Sequence, residues 1–120
     1  MLTIRDAQRL AFREERFRQL RKWLLPHLRA QFSELLADTS DDALERFIVR
    51  AVERARVLGA TTSDTVCQLV HLRLVFGAGF ESLPWAATIL GRTDLNGDDK
   101  IAFLSARAEQ ILPQQPGEPG

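Results

Sequence analysis

The amino-acid sequence predicts an all-α protein, an irregular single-domain bundle of about five helices with a long, kinked first helix. Apolar residues recur at helical spacing in successive segments, and capping side chains, prolines and glycines separate those segments. No segment alternates with period two for long enough to predict a strand. The chain has 120 residues, of which 45% are hydrophobic and 27% charged. This composition is typical of one globular domain with a modest core.

The first helix is predicted over residues 3–37. Proline removes a backbone donor and clashes with the preceding turn, so we expect a kink or a break at Pro26. The apolar residues keep one helical phase on both sides of that proline. They are Leu10, Phe17, Leu20, Leu24, Leu28, Phe32 and Leu35.

The second helix has the clearest pattern. Residues 39–42, Thr-Ser-Asp-Asp, offer capping side chains and negative charge for its N-terminus. Gly59 follows the last apolar residue and predicts the end of the helix. The apolar stripe consists of Leu44, Phe47, Ile48, Ala51, Val52, Ala55 and Leu58.

Three further helices complete the predicted fold. Residues 66–76 are apolar on nearly every side, which predicts a buried helix. Pro84 suits the first turn of a short helix that ends before Gly91. Asn96 or Asp98 then caps a final helix over about residues 100–112. The helical domain is thus predicted over residues 1–112, and the tail PQQPGEPG at 113–120 has a composition typical of disorder.

The charge distribution is uneven although the formal net charge is zero. The first 30 residues contain eight Lys/Arg and three acidic residues, and the other 90 contain eight and thirteen. Nucleic-acid-binding domains usually have a pI above about 9, whereas this pI is about 6.7, so we expect no nucleic-acid partner. A single cysteine allows no internal disulfide. The charged N-terminal sequence resembles neither a signal peptide nor a membrane span, which predicts a cytoplasmic protein without a membrane partner.

One loop resembles the beginning of a calcium site. Asp94, Asn96 and Asp98 place oxygen ligands at positions one, three and five of such a loop. The match then fails, because Asp99 replaces the usual glycine at position six and Ser105 replaces the closing glutamate at position twelve. A polar turn with a capping carboxylate explains the pattern without a metal.

Cys67 and His71 lie four residues apart on one predicted helix face. A structural zinc site needs about four ligands, and His27 is the only other histidine. A Cys/His nucleophile would need an orienting third group, and the apolar helix disfavours a thiolate. No phosphate-binding glycine loop and no GxSxG motif occurs. We therefore expect no enzyme activity, no metal and no cofactor.

The first helix carries a second stripe outside its apolar face. At 100° per residue, Phe12 and Trp23 lie about 220° and 240° from Phe17, beside Arg5 and Arg16. Trp and Arg dominate binding hot spots, so these four residues are the candidate partner-binding site. The alternative is that the rest of the domain covers this side of the helix.

Three short segments resemble a known family. They are residues 1–8 (MLTIRDAQ), 76–80 (FGAGF) and 83–86 (LPWA). Together they resemble small helical proteins encoded in bacterial type VI secretion effector clusters, over most of residues 1–90. The similarity is closest to the co-chaperone class. The residues that match the family turn are Phe76, Gly77, Phe80, Pro84 and Trp85.

The resemblance implies a non-catalytic, protein-binding function and no catalytic residues. A co-chaperone of this class binds an adaptor chaperone and controls how the effector is loaded onto the secretion spike. The expected partner is therefore an adaptor chaperone, its effector, or both, and the oligomeric state stays open. One alternative is an immunity protein that binds and blocks a toxin. Another is a nucleic-acid-binding regulator that uses the basic first helix.

Overall fold

A computed structural model describes the backbone of residues 4–112 and the side chains of residues 13–112. Within this range the all-α prediction is confirmed, with five α-helices, one 3₁₀ helix and no strand. The α-helices are α1 Ile4–Gln31, α2 Asp41–Leu58, α3 Ser63–Phe76, α4 Pro84–Leu90 and α5 Gly97–Ile111, and the 3₁₀ helix is Ala78–Ser82. Internal contacts divide the chain into two units, Met1–Val52 and Glu53–Gly120. The predicted tail at 113–120 lies outside the described residues.

Helix α1 continues through Pro26 and ends at Gln31, several residues before the predicted end. Residues 32–38 form turns instead. Leu35, which belongs to the predicted apolar stripe, is 58% exposed, whereas Leu36 is buried, so the assignment of Leu35 to the core is wrong. Within these turns the Leu36 N–H donates to the Phe32 carbonyl at 2.9 Å.

The first unit is built on one face of α1 and the first part of α2. Full burial of one such aliphatic side chain stabilises a fold by about 1.5–3 kcal/mol. In α1, Phe17, Leu24 and Leu28 of the predicted apolar stripe are buried. The buried apolar side chains of α2 in this unit are Leu44, Ile48, Ala51 and Val52.

Arg29 stabilises the segment between α1 and α2 through hydrogen bonds. Its guanidinium donates to the Leu36 carbonyl at 2.8 Å, to the Thr39 carbonyl and to the Asp41 carboxylate at 2.7 Å. Ser40 accepts from the Ala43 N–H at 3.1 Å and caps α2 as its sequence predicts. A single side chain therefore satisfies carbonyls of the connecting turns and pairs with the acidic first turn of α2.

The second unit has a core of α3 and α5 with the short elements between them. Thr62 caps α3 by accepting from the Thr65 N–H at 3.1 Å. Asn96 caps α5 by accepting from the Asp99 N–H at 2.8 Å, which decides between the two predicted caps. The buried side chains are Val66, Leu69, Val70 and Leu72 of α3, Phe80 of the 3₁₀ helix, Ala86 of α4, and Ile101, Leu104 and Ala108 of α5.

Two glycines let the start of α5 approach the end of α2 closely. Gly59 has φ of 100°, a backbone conformation that L side chains rarely adopt. A Cβ at Gly97 would overlap the Leu58 carbonyl oxygen and would lie 2.5 Å from the Gly59 Cα. This approach brings Asp98, the next residue, within hydrogen-bonding distance of the α2–α3 connection.

Asp98 joins the start of α5 to the start of α3. Its carboxylate accepts from the Thr61 N–H at 2.8 Å and from the hydroxyls of Thr61 and Thr65. Partial burial by itself would raise the pKa of Asp98, but these hydrogen bonds outweigh it and hold the pKa below the ordinary value of 3.8.

Candidate protein-binding surface

Helix α1 presents Arg16, Trp23 and His27 on one flank, which we call the tryptophan face. Helical spacing of seven and four residues aligns these side chains. The Trp23 indole stacks on the His27 imidazole, with ring centroids 4.3 Å apart and planes 19° from parallel. Trp23 is 51% exposed and Arg16 is exposed. About half of the Trp23 surface is therefore exposed.

The other two residues of the predicted site are only partly described. The backbone of α1 includes Arg5 and Phe12, so both positions lie on the same helix as Trp23. Their side chains lie outside the described residues. The structure brings Arg16 and Trp23 onto one exposed face and adds His27, whose contact with Trp23 the sequence did not indicate.

Phe76, Phe80 and Trp85 form an aromatic cluster in the second unit. Phe76 lies 6.3 Å from Phe80 and 5.6 Å from Trp85 between ring centroids, with the Trp85 contact edge-on. Phe80 and Trp85 are 6.2 Å apart. Gly77 has φ of 90° and ends α3, and Pro84 is the first residue of α4. Phe80 is buried, so the centre of this cluster belongs to the core.

The 3₁₀ helix contains a charged residue whose role the sequence did not indicate. The Glu81 carboxylate accepts from Arg54 Nε at 3.0 Å and from Arg73 Nη1 at 3.5 Å. The Glu81 and Arg73 side chains are each 14% exposed. No local spacing relates Arg54 to Glu81, 27 residues away, so only the fold brings them together.

The three oxygen ligands of the calcium-like loop have partners within the protein. Asp94 forms an ion pair with Arg92, Asn96 caps α5, and Asp98 accepts from Thr61 and Thr65. Each of these contacts stabilises the loop without an added ion.

Cys67 is half-buried on α3. Burial, and secondly the nearby negative charge of Asp64, raises the pKa of its thiol. A raised pKa lowers the thiolate fraction, which is the reactive form. Among residues 13–112, no group of three or more His, Cys, Asp or Glu side chains is arranged to hold a metal ion.

Comparison with protein-family models, curated proteins and solved structures found no match to this chain. Of the helices in the described part of the chain, none is long and apolar enough to cross a membrane.

Proposed function

We propose that this protein is a non-catalytic accessory factor that acts by binding another protein. The observation that carries the proposal is the half-exposed Trp23 on the tryptophan face. A tryptophan presents roughly 250 Å², so about half of it leaves ~3 kcal/mol of apolar contact available at about 25 cal/mol per Å². Trp beside Arg is the pairing most typical of interface hot spots.

The stack on His27 supports the same function. Because the imidazole covers one face of the indole at 4.3 Å, the Trp23 side chain is already held in one orientation. Binding a partner then costs less side-chain entropy than ordering a free tryptophan would. Arg16 adds a planar cation that can pair with a carboxylate of the partner.

We propose further that the partner is an adaptor chaperone of a type VI secretion effector cluster. The support for this finer statement is the resemblance of residues 1–8, 76–80 and 83–86 to the co-chaperone class. In that function the protein would control how the adaptor engages its effector and the spike.

Affinity purification from the native cell followed by measurement with the purified partner tests the proposal. Trp23→Ala should weaken binding by more than about 1 kcal/mol, roughly fivefold, with the melting temperature nearly unchanged, and Arg16→Ala should weaken it less. Phe103→Ala is the matched control, because Phe103 is an aromatic of similar exposure, 46%, on α5.

Three outcomes would contradict the proposal in different ways. Recovery of the toxic effector alone, with its activity blocked, would indicate an immunity protein. Recovery of nucleic acid with affinity that collapses as salt rises would indicate a nucleic-acid-binding regulator. A loss of about 3–5 kcal/mol of folding stability in Trp23→Ala would assign Trp23 to the core.

A further inference from the structure

The first unit contains a groove between α1 and α2, on the flank of α1 away from Trp23. Its volume is about 370 Å³. Helix α1 contributes Arg18, Arg21 and Lys22 to its wall, and helix α2 contributes Glu45. The apolar lining consists of Leu25, Pro26, Ile48 and Val49. Val49 is 51% exposed although it is a large aliphatic residue, so an apolar strip lies open between charged walls.

A shallow depression along the exposed face of α2 continues this surface. It shares Glu45 and Val49 with the first groove and adds Asp42, Arg46 and Arg50. We call the two together the basic groove. It is lined by five cations and two carboxylates, so its charge is positive although the whole chain is neutral.

Four of these five cations form no ion pair with the side chains of residues 13–112. The exception is Arg18, which forms an ion pair with Glu15. Four like charges on one surface repel one another. An occupant with carboxylates would relieve that repulsion while it covers the apolar strip.

We infer that the basic groove binds an acidic, amphipathic helical segment of another protein. The inference rests on the proposed protein-binding function and names the chemistry of the partner. Aliphatic side chains of the segment cover Leu25 and Val49, and its carboxylates pair with Arg21 and Lys22 on one side and with Arg46 and Arg50 on the other. Helix-in-groove recognition combines an apolar stripe and flanking charges in this way.

A second copy of the chain fits this surface poorly. Symmetric dimers bring the same patch of both copies together, which would set the five cations of one groove opposite the five of the other. Nucleic acid also fits poorly, because contacts to a phosphate backbone would leave the apolar strip and the half-exposed Val49 side chain uncovered.

The test uses the purified full chain and a fluorescent synthetic peptide of about 15 residues, long enough to form a marginally stable helix. The peptide carries Leu at positions i, i+3, i+4 and i+7 and Glu beside them. One comparison peptide has Lys in place of every Glu, and another has the same composition in scrambled order. The acidic peptide should bind at least tenfold more tightly than either.

Variants of the protein locate the binding site. Arg21→Glu/Lys22→Glu should weaken binding of the acidic peptide at least tenfold. The control Arg13→Glu/Arg107→Glu changes the net charge equally at two exposed positions outside the groove and should change binding less than threefold. Val49→Asn should weaken binding about fivefold, since the site needs its apolar strip.

The inference is overturned if both double variants lose the same affinity for the acidic peptide, or if Val49→Asn binds the peptide as tightly as wild type. It is also overturned if a labelled oligonucleotide, or a second copy of the chain, binds more tightly than the acidic peptide. Failure of the proposed function is distinguishable. If the native partner binds Arg21→Glu/Lys22→Glu as tightly as wild type but loses affinity for Trp23→Ala, the groove assignment is wrong and the accessory function stands. If wild type binds the acidic peptide selectively yet recovers no adaptor, the groove stands and the co-chaperone function fails.

Discussion

Gly97 at the start of α5 packs directly against the backbone of Gly59 at the end of α2. A Cβ at Gly59 would lie 3.2 Å from the Gly97 Cα, and a Cβ at Gly97 would overlap the Gly59 backbone. Backbone atoms cannot move aside as the end of a flexible side chain can. The close approach therefore requires glycine at position 97.

Gly97→Ala is expected to destabilise the protein by about 2–3 kcal/mol, the upper part of the range for forced overpacking, because the overlapping atoms are backbone. Urea unfolding followed by circular dichroism measures this free energy. Gly79→Ala is the matched control, because a Cβ there meets no atom within 4 Å; its effect should stay within about 1 kcal/mol. Similar stability of the two variants would contradict the close approach.

Asp98→Asn is expected to lower stability at neutral pH, because the carboxylate accepts from both Thr61 and Thr65. The pKa of Asp98 is lowered by folding, so its contribution is present above the ordinary value of 3.8 and is lost as pH falls through the lower folded pKa. Melting temperatures of wild type and variant should converge below pH 3.8. A difference that stays constant from pH 7 to acid would show that the carboxylate charge contributes nothing.

Glu81→Gln is expected to cost about 1–3 kcal/mol, because it leaves the mostly buried Arg73 without its counter-charge. Thermal unfolding should show the loss. Glu109→Gln on α5 changes the same charge at an exposed position and should change stability by less than about 0.5 kcal/mol. Equal losses of stability in the two variants would mean that the Glu81–Arg73 ion pair stabilises the fold no more than a surface charge does.

Arg29→Met is expected to cost about 1–2 kcal/mol, since three acceptors in residues 36–41 lose their donor. Arg13→Met is the control, because Arg13 is exposed and its replacement should be nearly neutral. Hydrogen exchange adds a local measurement: amides around the Leu36 turn should exchange faster in Arg29→Met alone. Unchanged exchange there would contradict the assigned contacts.

Local chemistry made much of the fold predictable. Ser40, Pro84 and Gly91 mark helix ends at the positions where the structure has them, because caps and prolines act within one turn of chain. The prediction for Leu35 was wrong because the apolar residues keep helical spacing past Gln31, whereas the helix ends there. Arg29 donates to carbonyls of the turns that follow, a contact that the apolar spacing does not indicate.

The candidate surfaces were predictable only in part. Helical spacing placed Trp23 away from the core stripe, but only the structure shows that about half of its side chain is exposed. In the sequence alone, the arginines of α1 are typical of an ordinary solvent-exposed helix face. These arginines line the same surface as Arg46, Arg50 and Val49 because α2 lies beside α1. The periodicity of the sequence does not show which helices are neighbours.

The half-buried thiol of Cys67 is a natural probe of local opening in the second unit. Since the chain has one cysteine and burial raises the pKa of that thiol, local opening of α3 would expose the sulfur and increase its thiolate fraction, and so would speed attack by a thiol reagent. A change in the labelling rate at fixed pH then reports a change in that opening without any engineered probe. Comparing the labelling rates of free and partner-bound protein would show whether binding at the first unit decreases or increases the local opening of α3 in the second unit.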